Sequence, residues 1–108
     1  MANLIVGDVA SQLIEALQPI VERIRRRNRS LSDQLVRAAT SIALNIGEAD
    51  YSDPGNKRAR LFTAAGSASE TRLALRAAVA WKYCAPSEAE AARQLLDRVV
   101  AMLWKLTH

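Results

Sequence analysis

Cysteine, histidine and aromatic residues are all scarce in this chain, and each scarcity closes off a class of protein. The single cysteine, Cys84, excludes an internal disulfide framework and supplies no thiolate pair for a metal. It reads as a small buried apolar residue rather than a reactive thiol. The single histidine, His108, ends the sequence, so no His-based metal or general-base site is expected. There is no nucleotide-binding glycine loop, no HExxH and no Ser/His/Asp set. Neither an enzyme nor a bound cofactor is therefore expected. The start, MANLIVGDVASQL, has no basic leader, and no apolar run is long enough to cross a bilayer. A soluble, cytoplasmic protein is the expectation.

What is present is leucine, alanine and charge. Half of the 108 residues are hydrophobic and only 5% are aromatic, which favours helix over sheet and suits one domain spanning residues 1–108. A first helix is expected from about residue 3 or 8 to 27, with Val9, Leu13, Ala16, Leu17, Ile20 and Ile24 as its core stripe. Pro19 interrupts that stripe without changing its phase, so a kink is expected rather than a break. Asn28 reads as a stop, and Ser30 to Asp33 resembles a capping box opening a second helix that runs to about residue 50 or 51. Asp53-Pro54 reads as the cap and first position of a third helix, to about residue 84. Ser87 with Glu90 reads as the capping box of a fourth, to about residue 106, with its seam at Ala92, Leu95, Leu96, Val99, Met102, Leu103 and Leu106. Four helices joined by three short connections predict an all-α fold, an up-down-up-down antiparallel four-helix bundle.

The organising stretch is QLVRAATSIALNIGE, residues 34–48. Leu35, Ala39, Ile42 and Ile46 form one helical stripe, while Gln34, Arg37, Ser41, Asn45 and Glu48 form a polar stripe beside it. Val36, Ala43 and Leu44 make the back of this helix apolar too, as expected of a helix enclosed by neighbours or by a second subunit. The polar stripe needs partners, because buried polar groups left unpaired are costly. A structural network of Gln34, Arg37, Ser41, Asn45, Glu48, Ser67 and Glu70 is expected, with Glu48 and Glu70 accepting hydrogen bonds or neutralising Arg37, Arg72 or Arg76. In the third helix Gly66, Ser67, Ala68 and Ser69 sacrifice helix propensity, which predicts close approach of another helix. There Phe62, Gly66, Leu73, Ala77 and Ala80 share one side, and Leu61, Ala65, Ala68 and Val79 an adjacent one. Trp81 and Trp104 read as edge or interface packing.

The net charge is +4 and unevenly placed. Arg23, Arg25, Arg26, Arg27 and Arg29 crowd into RIRRRNR, and Lys57, Arg58 and Arg60 follow the middle turn. Such clusters attract phosphate backbones, although cations near a helix C-terminus also complement its macrodipole.

QLVRAATSIALNIGEA resembles the "QLRRAAvSIpaNIAEG" signature of the four-helix-bundle proteins encoded in intervening sequences of bacterial large-subunit ribosomal RNA genes. That family includes the accessory variability determinant proteins of diversity-generating retroelements. RLFTAAGSASETRLAL resembles its second signature, "rFLyiArGSlaEletql". Gln34, Arg37, Ala38, Ala39, Ser41, Ile42, Asn45, Ile46 and Glu48 match the first, and Phe62 (with a one-residue offset), Ala65, Gly66, Ser67 and Glu70 the second. Ala43 stands where the family has proline, Asp50-Tyr51 replaces the arginine that usually follows, and the arginine before the glycine is missing. The resemblance implies a non-enzymatic bundle that assembles as a ring, commonly a homopentamer. For the retroelement members it implies binding of nucleic acid and a reverse transcriptase. Two functions are thus expected to compete: non-specific nucleic-acid binding by a homo-oligomer through the two basic clusters, and a protein-interaction scaffold or adaptor.

Overall fold

The computed structural model describes the backbone of residues 2–108 and the side chains of residues 5–108. Helices α1 (Ala2–Arg25), α2 (Arg29–Ala49), α3 (Pro54–Ala80) and α4 (Pro86–Thr107) follow one another through short connections. Each packs on its sequence neighbour, and α4 closes the ring on α1, so the four helices run alternately up and down around one core. The molecule measures 42 × 22 × 19 Å. A 27-residue helix rises about 40 Å at 1.5 Å per residue, so α3 alone spans the rod. Helix α1 is continuous through Pro19, whose ring lies on the exposed side.

The core is aliphatic, and the expected stripes of α1 and α2 are buried almost completely. Leu13, Leu17, Ile20 and Ile24 meet Leu35, Ile42 and Ile46, while α4 inserts Ala92, Leu96, Val99 and Leu103. In α4 the seam therefore runs through Leu96 and Leu103, and Leu95, Met102 and Leu106 only flank it. Helix α3 contributes little bulk: Ala64, Ser67, Ala68, Thr71, Ala74 and Ala78 line its inner face, with Leu61 and Leu75 as the large residues. The stripe of Phe62, Gly66 and Leu73 points outward instead, with Phe62 43% and Leu73 63% exposed. A methyl group added at Gly66 would meet nothing within 4 Å, so the close approach expected at that glycine does not occur within the bundle. Ser67 and Ala68 are the small residues that a neighbour approaches.

Helix ends depart from the sequence expectation in three places. Asn28, not Ser30, caps α2: its backbone is extended, and its Oδ1 accepts from the Leu31 amide at 2.9 Å. With α1 ending at Arg25, one asparagine both stops the chain and restarts it. Ala85 precedes α4, where Pro86 takes the first position and Glu88 reaches back to accept from the Ala85 amide at 2.7 Å. The proline's fixed φ sets this start two residues ahead of the expected Ser87–Glu90 box, and Glu90 bonds Arg93 instead. Helix α3 stops at Ala80, short of Cys84, in a turn where Lys82 donates to the Val79 carbonyl and Tyr83 to the Ala78 carbonyl. This is a Schellman arrangement, with Lys82 at φ 63° where glycine is usual. The left-handed backbone costs a lysine on the order of 1 kcal/mol. Asp53 caps α3 as expected, accepting from the Asn56 amide at 3.0 Å. That bond holds the Asp53 carboxyl below the usual carboxylate range.

Two stability measurements follow from these ends and faces. Denaturant unfolding of Gly66→Ala is expected to show a gain of about 1 kcal/mol, because the helix gains propensity and nothing is displaced. Asn28→Ala is expected to lose about 1 kcal/mol with the cap of α2.

Candidate functional site

Alternating helix direction sorts the charged segments between the two ends of the rod. The end of α1, the start of α2, the end of α3 and the start of α4 lie together at one end. Arg23 Nε reaches Glu88 at 2.7 Å, and the Arg27 guanidinium lies 5.4 Å from the centre of the Tyr83 ring. Lys57, Arg58 and Arg60 lie at the other end. There Arg60 pairs with Glu48 at 2.9 Å and Arg58 lies over Phe62 at 5.3 Å. The two basic clusters are thus separate sites at opposite ends of a 42 Å rod rather than halves of one patch.

The first end is the more cationic. It carries Arg23, Arg25, Arg26, Arg27, Arg29, Arg76 and Lys82 against the carboxylates of Glu22, Asp33, Glu88 and Glu90. Two helix N-termini and two C-termini meet there, so the macrodipoles largely offset and the side chains decide the field. Arg23 is held by Glu88, and Arg25 by Glu22 at 3.2 Å. Among the described residues Arg26, Arg29 and Lys82 have no ion pair, and all three are exposed. A shallow depression lined by Arg29, Ser30, Asp33, Gln34 and Arg37 continues this end along α2. The opposite end sets Lys57, Arg58, Arg60 and Lys105 against Glu48, Asp50 and Asp53, close to balance. His108 stacks on Trp104 there at 3.5 Å and meets Phe62 edge-on at 5.8 Å.

The expected polar network divides into a bonded centre and an open rim. Ser41 Oγ and Ser67 Oγ lie 2.8 Å apart across α2 and α3, and Asn45 Nδ2 donates to the Ser41 carbonyl at 2.9 Å and its Oγ at 3.1 Å. These contacts let the polar flank of α2 face α3 without stranding a hydroxyl. Glu48 turns outward to Arg60, not to Arg37, Arg72 or Arg76. Gln34, Arg37 and Glu70 are exposed and form none of the expected contacts; Arg72 pairs instead with Asp97 of α4 at 2.8 Å. Glu48 and Glu70 therefore do not form a paired-carboxylate site. Among the described residues no group of three or more His, Cys, Asp or Glu side chains is placed to hold a metal. Cys84 is buried, and that burial, reinforced by Glu88, pushes its thiol pKa up.

Sequence reasoning did not connect Trp81, Lys82 and Tyr83 with the arginines, which lie more than fifty positions earlier. The signal was present in the topology. In an up-down-up-down bundle the first and third connections share an end, so RIRRRNR and WKY must be neighbours.

Comparison with known proteins agrees with this architecture. A crystal structure of a protein of unknown function from the S23 ribosomal protein family of Bacteroides thetaiotaomicron superposes with a TM-score of 0.87 at 20% identity, covering 94% of this chain and 97% of that one. At that identity the likeness concerns the fold alone. No curated protein matches the chain. Among the described residues no helix is long and apolar enough to cross a membrane. The model of the family described as 23S rRNA-intervening sequence protein matches residues 2–105, and with a match across all four helices the chain belongs to that family.

Proposed function

We propose that this chain is a non-enzymatic, homo-oligomeric four-helix bundle of the cytoplasm that binds nucleic acid without sequence specificity through its arginine-rich end. The observation that carries the reading is the set of exposed, unpaired cations at that end: Arg26, Arg29 and Lys82, beside the paired Arg23 and Arg25. Phosphates are their natural counterions, and each contact releases condensed counterions from the nucleic acid. Lys57, Arg58 and Arg60 form a second, weaker site, because the carboxylates around them already balance much of their charge. The resemblance noted above is to a family that includes the accessory variability determinant proteins, for which it implies the same ligand class.

Self-association rests on a different observation. Leu44 is 59% and Leu73 63% exposed, and Val36 and Phe62 add apolar surface on the outer faces of α2 and α3. Large apolar side chains left exposed on two neighbouring helices suit a contact surface. A ring, such as the pentamer implied by the family resemblance, would repeat each basic end and multiply weak contacts. The same faces favour the alternative reading, a scaffold for a partner protein such as a reverse transcriptase.

Two measurements test these readings. Affinity for mixed-sequence RNA and DNA is expected to fall steeply with salt, and Arg26→Ala with Arg29→Ala to lower the slope of log affinity against log salt by about 2. An unchanged slope removes the arginine end from the interface. Light scattering is expected to give a multiple of the 11.8 kDa chain mass, and Leu44→Glu with Leu73→Glu to return it to the monomer. A wild-type monomer would leave the nucleic-acid reading to stand without a ring.

A further inference from the structure

We infer that the corner between α3 and α4 is a base-stacking platform, with Trp81 as its exposed ring, that makes the arginine-rich end prefer single-stranded nucleic acid over duplex. The inference rests on the nucleic-acid reading above and names the form of the ligand. Trp81 is 68% exposed, although an indole is among the side chains most readily withdrawn from water. It does not stand alone. The Tyr83 ring lies nearly parallel to it, at 16° between planes and 6.5 Å between centres, and the Arg27 guanidinium lies over Tyr83 at 5.4 Å.

The backbone of this corner produces that arrangement. Were α3 to continue, residues 81 and 83 would project about 200° apart, on opposite sides of the helix. The left-handed Lys82 between them ends the helix and brings both rings to one side. Lys82 accepts a conformation that lysine rarely adopts, and its exposed ammonium then sits between the two rings in sequence. Rings and cations so combined match the two surfaces of an unpaired nucleotide, a flat base and a phosphate. Duplex DNA or RNA offers the phosphates but keeps its base faces stacked inside. A second copy of this same end is a poor occupant, since it would set Arg26, Arg29 and Lys82 against their own equivalents.

The test uses the full chain with Trp104→Phe, which leaves Trp81 as the sole indole and alters the opposite end of the rod. This protein is titrated with a mixed-sequence single strand, the duplex of that sequence, and inorganic polyphosphate. Quenching of Trp81 emission is expected with the single strand and not with the other two. In the native background Trp81→Ala is expected to weaken single-strand binding about tenfold, the loss of one stacked base, with duplex affinity and the salt slope unchanged. Trp81→Phe, which keeps a ring, is expected to restore most of the loss. Equal affinity for single strand and duplex, both indifferent to Trp81→Ala, would overturn the platform while leaving the arginine end as a phosphate site. A parallel loss for all three ligands in Trp81→Ala would overturn it too, by making the ring a structural support. Absence of binding to any of the three at low salt would overturn the nucleic-acid reading itself, and the platform with it.

Discussion

Burial of one helix on two sides constrains everything else in this molecule. Helix α2 must hide Leu35, Ala39, Ile42 and Ile46 among its neighbours while carrying Ser41 and Asn45 on the flank that faces α3. An aliphatic partner there would leave the half-buried Ser41 hydroxyl with Asn45 as its one side-chain partner. Ser67 meets it at 2.8 Å, and the inner face of α3 stays small so that the two backbones can lie close enough for hydroxyls to meet. The low bulk of α3 is thus a consequence of the polar flank of α2. Thr71 and Thr107 solve the same problem locally, each donating to the carbonyl four residues earlier. Ser32 Oγ is the exception among the described residues, buried with no partner.

The same packing decides where charge can go. With the inner faces aliphatic and each helix pressed on its neighbour, charged side chains are left to outer faces and ends. The short connections then place residues distant in sequence side by side. Glu88 shows how closely the two are tied: one oxygen starts α4 by accepting the Ala85 amide, and the other holds Arg23 at the end of α1. The arginine end is therefore assembled from all four helices by the fold, and it exists only when the bundle does.

How far the sequence could be read depended on whether a signal was local. The periodicities of α1 and α2 and the Asp53-Pro54 start were legible, because apolar spacing and cap chemistry act within a turn or two. Asn28 is visible as punctuation but reads as the end of one helix rather than the cap of the next. The α4 start misled because Ala85 has no capping side chain, so Ser87 offered the stronger local pattern. Helix α3 misled most: with so many alanines, serines and a glycine, more than one face looks apolar, and the inner one is the face that carries Leu61, Leu75 and the Ser67 hydroxyl opposite Ser41. The candidate site was half legible. Its arginines announce themselves in RIRRRNR, whereas Trp81 and Tyr83 join them through topology and a left-handed lysine that no residue pattern marks.

The arginines of that end are also unequal, and the inequality bears on what it can bind. An exposed ion pair is worth about 0–1 kcal/mol, so Arg23 and Arg25 can exchange Glu88 and Glu22 for a phosphate, but each exchange gains little. Arg27 is engaged with a ring rather than an acid, keeps its full charge and adds attraction for an anion near Tyr83. On the proposed reading most of the salt-dependent attraction comes from Arg26, Arg27, Arg29 and Lys82, which give up no carboxylate on binding. So few free cations at one end of the bundle make a weak site for a lone protomer. On the proposed reading, tight binding would require either repetition of the end around an oligomer or a contribution that salt does not screen, and the exposed Trp81 ring next to Lys82 could supply the second.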